Sequence, residues 1–261
     1  MGAKTGYMLL GSGILCLGFN LLLPTGSSGT GGSDGGQMGL SCLSGLLGLA
    51  GLGLVVAGNI VIFVKRNELS KEGRKGAIAG LIGSISMGVL FLITIVLAFF
   101  MIASIIGSFS SDGSETDYNT AFEDLLSWVL ILGIFGVFSA IAQVLAEGGP
   151  SFWSEKKPAQ LLGIIGESLV IVLTIVNVIL LMSVIEDVRN VYSDVDFEEE
   201  ESLAEMQDAL DPGMLYAIRA VSSIGHFLMA AAAFMIGTTL ESPGQRHDDM
   251  SYPYYSMPPN Y

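Results

Sequence analysis

The composition of this 261-residue chain argues against an ordinary soluble globular domain. Hydrophobic residues make up 51% of it and charged residues only 14%, and the charges fall between apolar stretches long enough to cross the ~30 Å hydrocarbon core of a bilayer as helices. The formal net charge of -14 also excludes a broadly basic surface for nucleic acid. We therefore expect an all-α membrane protein, a six-span transmembrane helix bundle, with the lipid bilayer as a partner and no nucleic-acid partner.

Six apolar runs are predicted to cross the membrane, and together they make residues 1–240 one helix bundle. Their approximate bounds are 7–24, 38–64, 76–109, 125–146, 160–185 and 213–240. The first run follows a single Lys4 and has an alternative interpretation as a cleaved signal peptide. Against cleavage, Asn20 and several glycines interrupt the run, and no Ala-x-Ala-like site follows it.

The second and third runs carry small residues that predict close helix packing. In lipid, small side chains let helix backbones approach each other where no hydrophobic force drives association. Small residues recur at every fourth position of the third run, so they form one face, and we expect this face to pack against the glycine-rich second run. The predicted packing residues are Gly45, Gly48, Gly76, Gly80, Ser84 and Gly88.

The loop between the second and third runs sets the predicted orientation. It holds five of the eleven Lys and Arg residues of the chain: Lys65, Arg66, Lys71, Arg74 and Lys75. Positive charge next to membrane spans stays on the cytoplasmic side. With six spans, the sequence predicts a multi-pass protein of the cell membrane with both termini cytoplasmic and the acidic segment 186–212 extracytoplasmic.

The acidic loop 186–212 and the tail 241–261 lie outside the predicted spans. Apolar residues at near-helical spacing predict a short amphipathic helix over about 196–210. The carboxylates make this loop a candidate for weak binding of divalent cations, although Glu199 stands where an EF-hand frame needs glycine. The tail is rich in Tyr and Pro and is predicted to be disordered and cytoplasmic.

The chain ends in a short motif of its own. The last four residues resemble the Pro-Pro-x-Tyr ligand of WW domains, which bind a preformed polyproline helix in an aromatic groove. The residues that carry this resemblance are Pro258, Pro259 and Tyr261. A disordered tail with a different partner, or with none, is the other interpretation.

Ionisable residues inside the apolar runs are the strongest candidates for chemistry, because a charge in hydrocarbon is costly. They are Glu167, Arg219 and His226. At 1.5 Å per residue, Glu167 and His226 lie at a similar depth, as do Asn177 and Arg219, so we expect these two pairs. One interpretation is that Glu167 and His226 form a protonatable pair on an ion or proton path. The other is an interhelical hydrogen bond that fixes helix register, with the Arg219 side chain extending to the outer surface. The set of intramembrane polar candidates is completed by Asn59 and Gln143.

The sequence does not point to catalysis. We find no phosphate-binding glycine loop, no nucleophile paired with a base and no metal-ligand spacing, so we expect neither an enzyme nor a cofactor or metal site. The first expectation is a non-catalytic subunit or adaptor of a membrane complex, bound to other membrane subunits or to copies of itself. The alternative is a small ion- or proton-coupled transporter or channel component that uses Glu167, His226 and Arg219.

Overall fold

The computed structural model describes residues 2–23, 34–109, 115–194 and 212–240, and the regular structure in these ranges is helical throughout. The helices are α1 Ala3–Leu22, α2 Asp34–Val64, α3 Lys71–Phe109, α4 Glu115–Phe152, α5 Lys157–Asp194 and α6 Pro212–Thr239, with a short 3₁₀ turn at Arg66–Glu68. Each α-helix contains a stretch long and apolar enough to span a membrane. The prediction of an all-α chain with six such helices is therefore confirmed. The predicted amphipathic helix over 196–210 and the tail with its terminal motif lie outside the described residues.

The six helices form a closed ring. Each helix packs against its neighbours in sequence, and α6 closes the ring against α1. Helix α4 also contacts α2 and α6, so it reaches across the interior. We call the end of the bundle that carries the loop 65–75 the basic end. The backbone N–H of Ala3 donates a hydrogen bond to Glu68 Oε2 over 2.9 Å, which ties the start of α1 to this loop.

Helices α1 and α2 touch through reciprocal glycines. Gly6 and Gly13 of α1 face Gly58 and Gly51 of α2, and in each helix the two glycines are two turns apart. A Cβ atom on Gly58 would lie 2.6 Å from the backbone nitrogen of Leu10. Only glycine permits this approach, which explains a glycine-rich α2 in an apolar setting.

Helix α6 is the best buried of the six because it has close partners on both sides. Gly18 of α1 accommodates Phe227, and Gly11 of α1 accommodates the ring of Phe234. On the other side Gly225 packs reciprocally against Gly166 of α5. Half of the most apolar window of α6 is buried within the chain, against 6% for α3.

The predicted packing face of α3 meets α4 in addition to the expected α2. Gly76 lies against Gly149 and Pro150 of α4, and Gly80 lies against Pro150 and the side chain of Asn59. Helix α3 therefore packs mainly on α4, because α2 is already engaged by the glycines of α1.

The other predicted packing glycines differ among themselves. Gly48 faces the Asn20 side chain, whose Nδ2 would lie 3.0 Å from an added Cβ. Gly45 and Gly88, however, have no described atom within 4 Å of the place that a Cβ would occupy. These two glycines lie on the outer surface of the ring, so α2 and α3 do not use them for packing within this chain.

Helices α4 and α5 continue past the predicted ends of their apolar runs. Helix α4 continues beyond Ala146, the predicted end of the fourth span, through Gly148, Gly149 and Pro150 to Phe152. A proline is tolerated there because neighbouring helices satisfy the backbone groups it disturbs. Helix α5 continues to Asp194, so the first part of the predicted acidic loop 186–212 is helical.

Candidate functional site

The last turns of α4 form the polar centre of the bundle. Every residue from Ala146 to Ser151 is buried. Four helices surround this segment: α3 packs on Gly149 and Pro150, α2 reaches it through Asn59, α5 covers Gly148, and α6 contributes His226. Two glycines in succession make this possible, since side chains there would collide with the neighbouring helices.

Pro150 creates a polar group that another helix satisfies. A proline inside a helix has no N–H, so the carbonyl four residues earlier loses its helical partner. That carbonyl belongs to Ala146, and Asn59 Nδ2 of α2 donates a hydrogen bond to it over 2.7 Å. The same amide donates to Ser84 Oγ over 2.9 Å. Because a carbonyl oxygen only accepts hydrogen bonds, this contact also fixes which way the Asn59 amide faces.

An ionisable pair lies one residue further along α4. His226 Nδ1 and Glu147 Oε2 are 2.7 Å apart, and the side chains are 4% and 0% exposed. Gln143, one turn earlier in α4, donates from Nε2 to Glu147 Oε1 over 2.7 Å. Both carboxylate oxygens therefore have partners, and the pair can share a proton between Nδ1 and Oε2 inside the bundle.

A second carboxyl group lies beside the same segment. The side chain of Glu167 in α5 lies directly against the Cα atom of Gly148. Its Oε1 atom is buried and accepts no hydrogen bond from any residue that the structure describes. A buried carboxyl oxygen without a partner is costly, so Glu167 is the least satisfied ionisable group of this region. We call Asn59, Gln143, Glu147, Glu167 and His226 the polar cluster.

The predicted pairing of Glu167 with His226 is wrong, although the predicted depth is close to what is found. Gly166 and Gly225 touch, so the residues that follow them lie at nearly the same level. The two side chains point to different neighbours because successive residues on a helix are rotated by about 100°. His226 reaches Glu147, and Glu167 reaches Gly148.

The predicted pair of Asn177 and Arg219 is not formed. Asn177 lies on the exposed surface of α5, and no hydrogen bond joins it to Arg219. Arg219 is half-buried near the start of the described part of α6 and lies about 10 Å along the helix axis from His226. It is therefore outside the polar cluster, whereas Asn59 and Gln143, predicted only as lone polar groups, belong to it.

Sequence reasoning missed Glu147 because Gly-Gly-Pro follows it and normally ends a helix. Two signals could have found it. The nearest positive charges, Lys156 and Lys157, come well after it, so Glu147 belongs to the apolar run. Gln143 also precedes it by four residues, the spacing of side chains that meet on one face of a helix.

The polar cluster consists of side chains that can exchange protons or hydrogen bonds. Among the side chains that the structure describes, no three His, Cys, Asp or Glu residues lie close enough together to hold a metal ion. The polar cluster instead combines an imidazole, two carboxyl groups and two amides from α2, α4, α5 and α6. No protein-family model, no curated protein and no solved structure matches this chain. Its function must therefore be argued from this cluster and its setting.

Proposed function

We propose that the chain is a multi-pass protein of the cell membrane with its basic end, and both termini, on the cytoplasmic side. Six apolar helices support the insertion. The orientation is supported by the exposed cations near the basic end, because Lys and Arg next to spans are retained in the cytoplasm. These cations include Lys71, Arg74, Lys75, Lys156 and Lys157.

Within this membrane protein, the polar cluster is the site of a proton-coupled transporter or channel component. The observation that carries the proposal is a buried Glu147 and His226 pair beside Glu167, whose buried oxygen has no described hydrogen-bond partner. Ionisable groups inside a membrane bundle are costly, and their usual roles are in ion paths and proton relays. In this chain the cluster binds a proton on Glu147 or His226, and Glu167 is the next carboxyl group that can accept one. Arg219 lies outside the cluster, so the proposed function does not use it.

Proton flux into liposomes tests this function. Purified protein is reconstituted with an internal pH dye, and uptake is compared between the wild type, Glu147→Gln and Glu167→Gln. Both substitutions keep the size and hydrogen-bonding capacity of the side chain but remove the protonatable group, so we expect at least a tenfold loss of flux in each. Glu155→Gln is the matched control, since Glu155 is exposed in the turn after α4. Equal flux in all four proteins, or none in folded and inserted wild type, contradicts the proposal.

A second candidate, a non-catalytic subunit or adaptor of a membrane complex, is favoured by a different observation. Several exposed glycines on apolar helices have no described atom within 4 Å of the place that a Cβ would occupy. They include Gly45, Gly53, Gly88 and Gly136. Outward-facing small residues suit close contact with another helix, from a second copy or from a different subunit.

Native mass spectrometry of the protein extracted in mild detergent tests this second function. A complex of fixed stoichiometry in the wild type should dissociate when Gly53→Leu and Gly88→Leu are introduced together. The isolated chain should remain folded, because both positions have space around them. A monomer in every preparation, or a complex unaffected by both substitutions, would count against this candidate.

A further inference from the structure

An apolar groove opens on the side of the bundle between α3 and α4. It has a volume of about 430 Å³ and is lined by Ile85, Ser86, Val89, Leu90, Phe138, Ile141, Ala142 and Leu145. Four of these side chains, Ile85, Val89, Phe138 and Ile141, are about half exposed. The groove is separate from the polar cluster, which lies inside the ring.

The groove continues along one face of α3 to the basic end. Exposed residues at spacings of three and four lead from it towards the start of the helix: Val89, Ile85, Ile82, Ile78, Arg74 and Lys71. Residues at these spacings lie above one another on a helix. The stripe is therefore apolar over most of its length and cationic at its end.

Helix α4 brings further positive charge to the same place. Gly76 of α3 lies against Gly149 and Pro150, so the start of α3 and the end of α4 are side by side. Lys156 and Lys157 follow the end of α4, and both are exposed. Lys75 is engaged by Glu72 over 2.9 Å, whereas Lys71, Lys156 and Lys157 form no ion pair with any described residue.

The depth of the groove fits one kind of ligand. At 1.5 Å per residue, Ile85 lies about 17 Å along α3 from Arg74, and Val89 about 22 Å. Half the hydrocarbon thickness of a bilayer is about 15 Å. With the cations at the headgroup level, the groove therefore lies at the depth that the end of an acyl chain of the same leaflet reaches.

We propose that α3 and α4 bind an anionic phospholipid, with its phosphate on Lys71 and Arg74 beside Lys156 and Lys157 and one acyl chain in the groove lined by Val89 and Leu145. Basic residues between helix ends attract anionic headgroups, and the apolar groove fixes the chain below them. This inference rests on the membrane insertion proposed above but not on proton transport, so either one can fail alone.

Photolabelling tests the site. The protein is reconstituted with phosphatidylglycerol that carries a diazirine near the end of one acyl chain, or with phosphatidylcholine carrying the same chain, and the labelled peptides are identified by mass spectrometry. We expect phosphatidylglycerol to label peptides containing 85–90 and 138–145 several-fold more strongly than phosphatidylcholine does. Soluble glycerol phosphate should not compete, because it has no acyl chain.

Two pairs of variants separate the groove from the lipid-facing surface in general. Val89→Trp fills the groove and should abolish the preferential labelling, whereas Val96→Trp, two turns further on the same face and equally exposed at 51%, should not. Removing two cations with Lys71→Gln and Arg74→Gln should weaken phosphatidylglycerol binding about thirtyfold, since each basic residue near the surface contributes about fivefold. Lys4→Gln with Lys65→Gln is the charge-matched control.

Several results overturn this site. They are equal labelling by the two lipids, even labelling of all the helices, equal behaviour of Val89→Trp and Val96→Trp, and competition by glycerol phosphate. Labelling by neither lipid overturns it as well and also contradicts the membrane insertion. If Val89→Trp does not elute as folded protein, Leu145→Trp fills the groove from α4 and gives the same test.

Discussion

The two halves of the bundle are held together in different ways. Near the basic end, four helices meet the buried segment Ala146–Ser151 of α4 through hydrogen bonds and close glycine contacts. In the opposite half, α3 exposes large apolar side chains, including Phe99, Phe100 and Ile106, which are at least 60% exposed. In lipid such exposure costs little, whereas each buried polar group must find a partner. The comparison teaches that polar groups and glycines, more than apolar bulk, determine where these helices meet.

The largest effect is expected from breaking the buried ionisable pair. Glu147→Ala leaves His226 and Gln143 without their carboxylate partner inside the bundle, and removing one partner of a buried pair costs about 3 kcal/mol. In the opposite half, Leu92→Ala truncates a side chain that is 64% exposed and should cost less than about 0.5 kcal/mol. Unfolding in mixed micelles with increasing SDS measures both.

Replacing the whole pair sharpens this result. In Glu147→Leu with His226→Leu neither member of the pair is left without the other, so most of the lost stability should return. If the double variant is as unstable as Glu147→Ala, the loss comes from packing rather than from an unpaired charge. The role of the pair in the basic half would then need a different explanation.

The second effect concerns glycines that are alike in sequence but not in structure. Gly58→Val places a side chain against the backbone of α1 at Leu10 and should destabilise the protein by about 2 kcal/mol. Gly53→Val, in the same helix, has no described atom within 4 Å of the new Cβ and should leave the stability unchanged. Thermal unfolding followed by size-exclusion chromatography measures the difference. Equal losses would show that both glycines act through helix propensity in α2.

The fold was largely predictable, because length and hydropathy alone identify apolar helices. The partners of the helices were not. Gly80 and Ser84 were expected on α2 and both contact Asn59 of that helix, yet α3 packs mainly on α4, whose end carries Gly149 and Pro150. The spacing of residues along one helix shows that one of its faces consists of small side chains, but it does not show which other helix packs against that face.

The polar cluster was predictable only in part, for a similar reason. The rise of 1.5 Å per residue predicts that Glu167 and His226 lie at the same depth. It does not predict the direction in which each side chain points around its helix axis, and that direction determines its partner. Glu147 was missed because its helix was ended at the following Gly-Gly-Pro. Asn59 replaces the backbone donor that Pro150 lacks. This contact could not be predicted from the sequence, because it depends on how α2 and α4 pack together.

The third prediction tests this replacement directly. Asn59→Leu leaves the Ala146 carbonyl without a donor, which should cost about 1.5 kcal/mol. Pro150→Ala restores a backbone N–H four residues after Ala146 and should recover about 1 kcal/mol of that loss in the double variant. Ser84 loses its amide partner in both backgrounds, so its contribution cancels in the cycle. A chemical unfolding series on the four proteins measures the coupling, and additive effects would contradict the replacement.

The smallest expected effect comes from a polar contact at the other end of the bundle. Ser44 Oγ of α2 donates a hydrogen bond to Asn20 Oδ1 of α1 over 2.5 Å, near the end of α1 opposite the basic end. Interhelical hydrogen bonds in membrane proteins contribute about 0.6 kcal/mol on average, so Ser44→Ala should cost about that much. Asn20 is half-buried, so leaving its oxygen without this donor costs less than it would for a fully buried oxygen.

The comparison of the two halves requires that Ser44→Ala cost less than Asn59→Leu. Ser86→Ala is the control, because Ser86 has no hydrogen-bond partner among the described residues. Asn59→Leu should cost more than Ser44→Ala. Asn59 donates to the Ala146 carbonyl, which has no helical donor because of Pro150, whereas Ser44 and Asn20 join two helices whose backbone hydrogen bonds are not interrupted by a proline. If the two substitutions cost the same, burial alone sets the strength of these bonds, and the last turns of α4 are not the special element of the basic end.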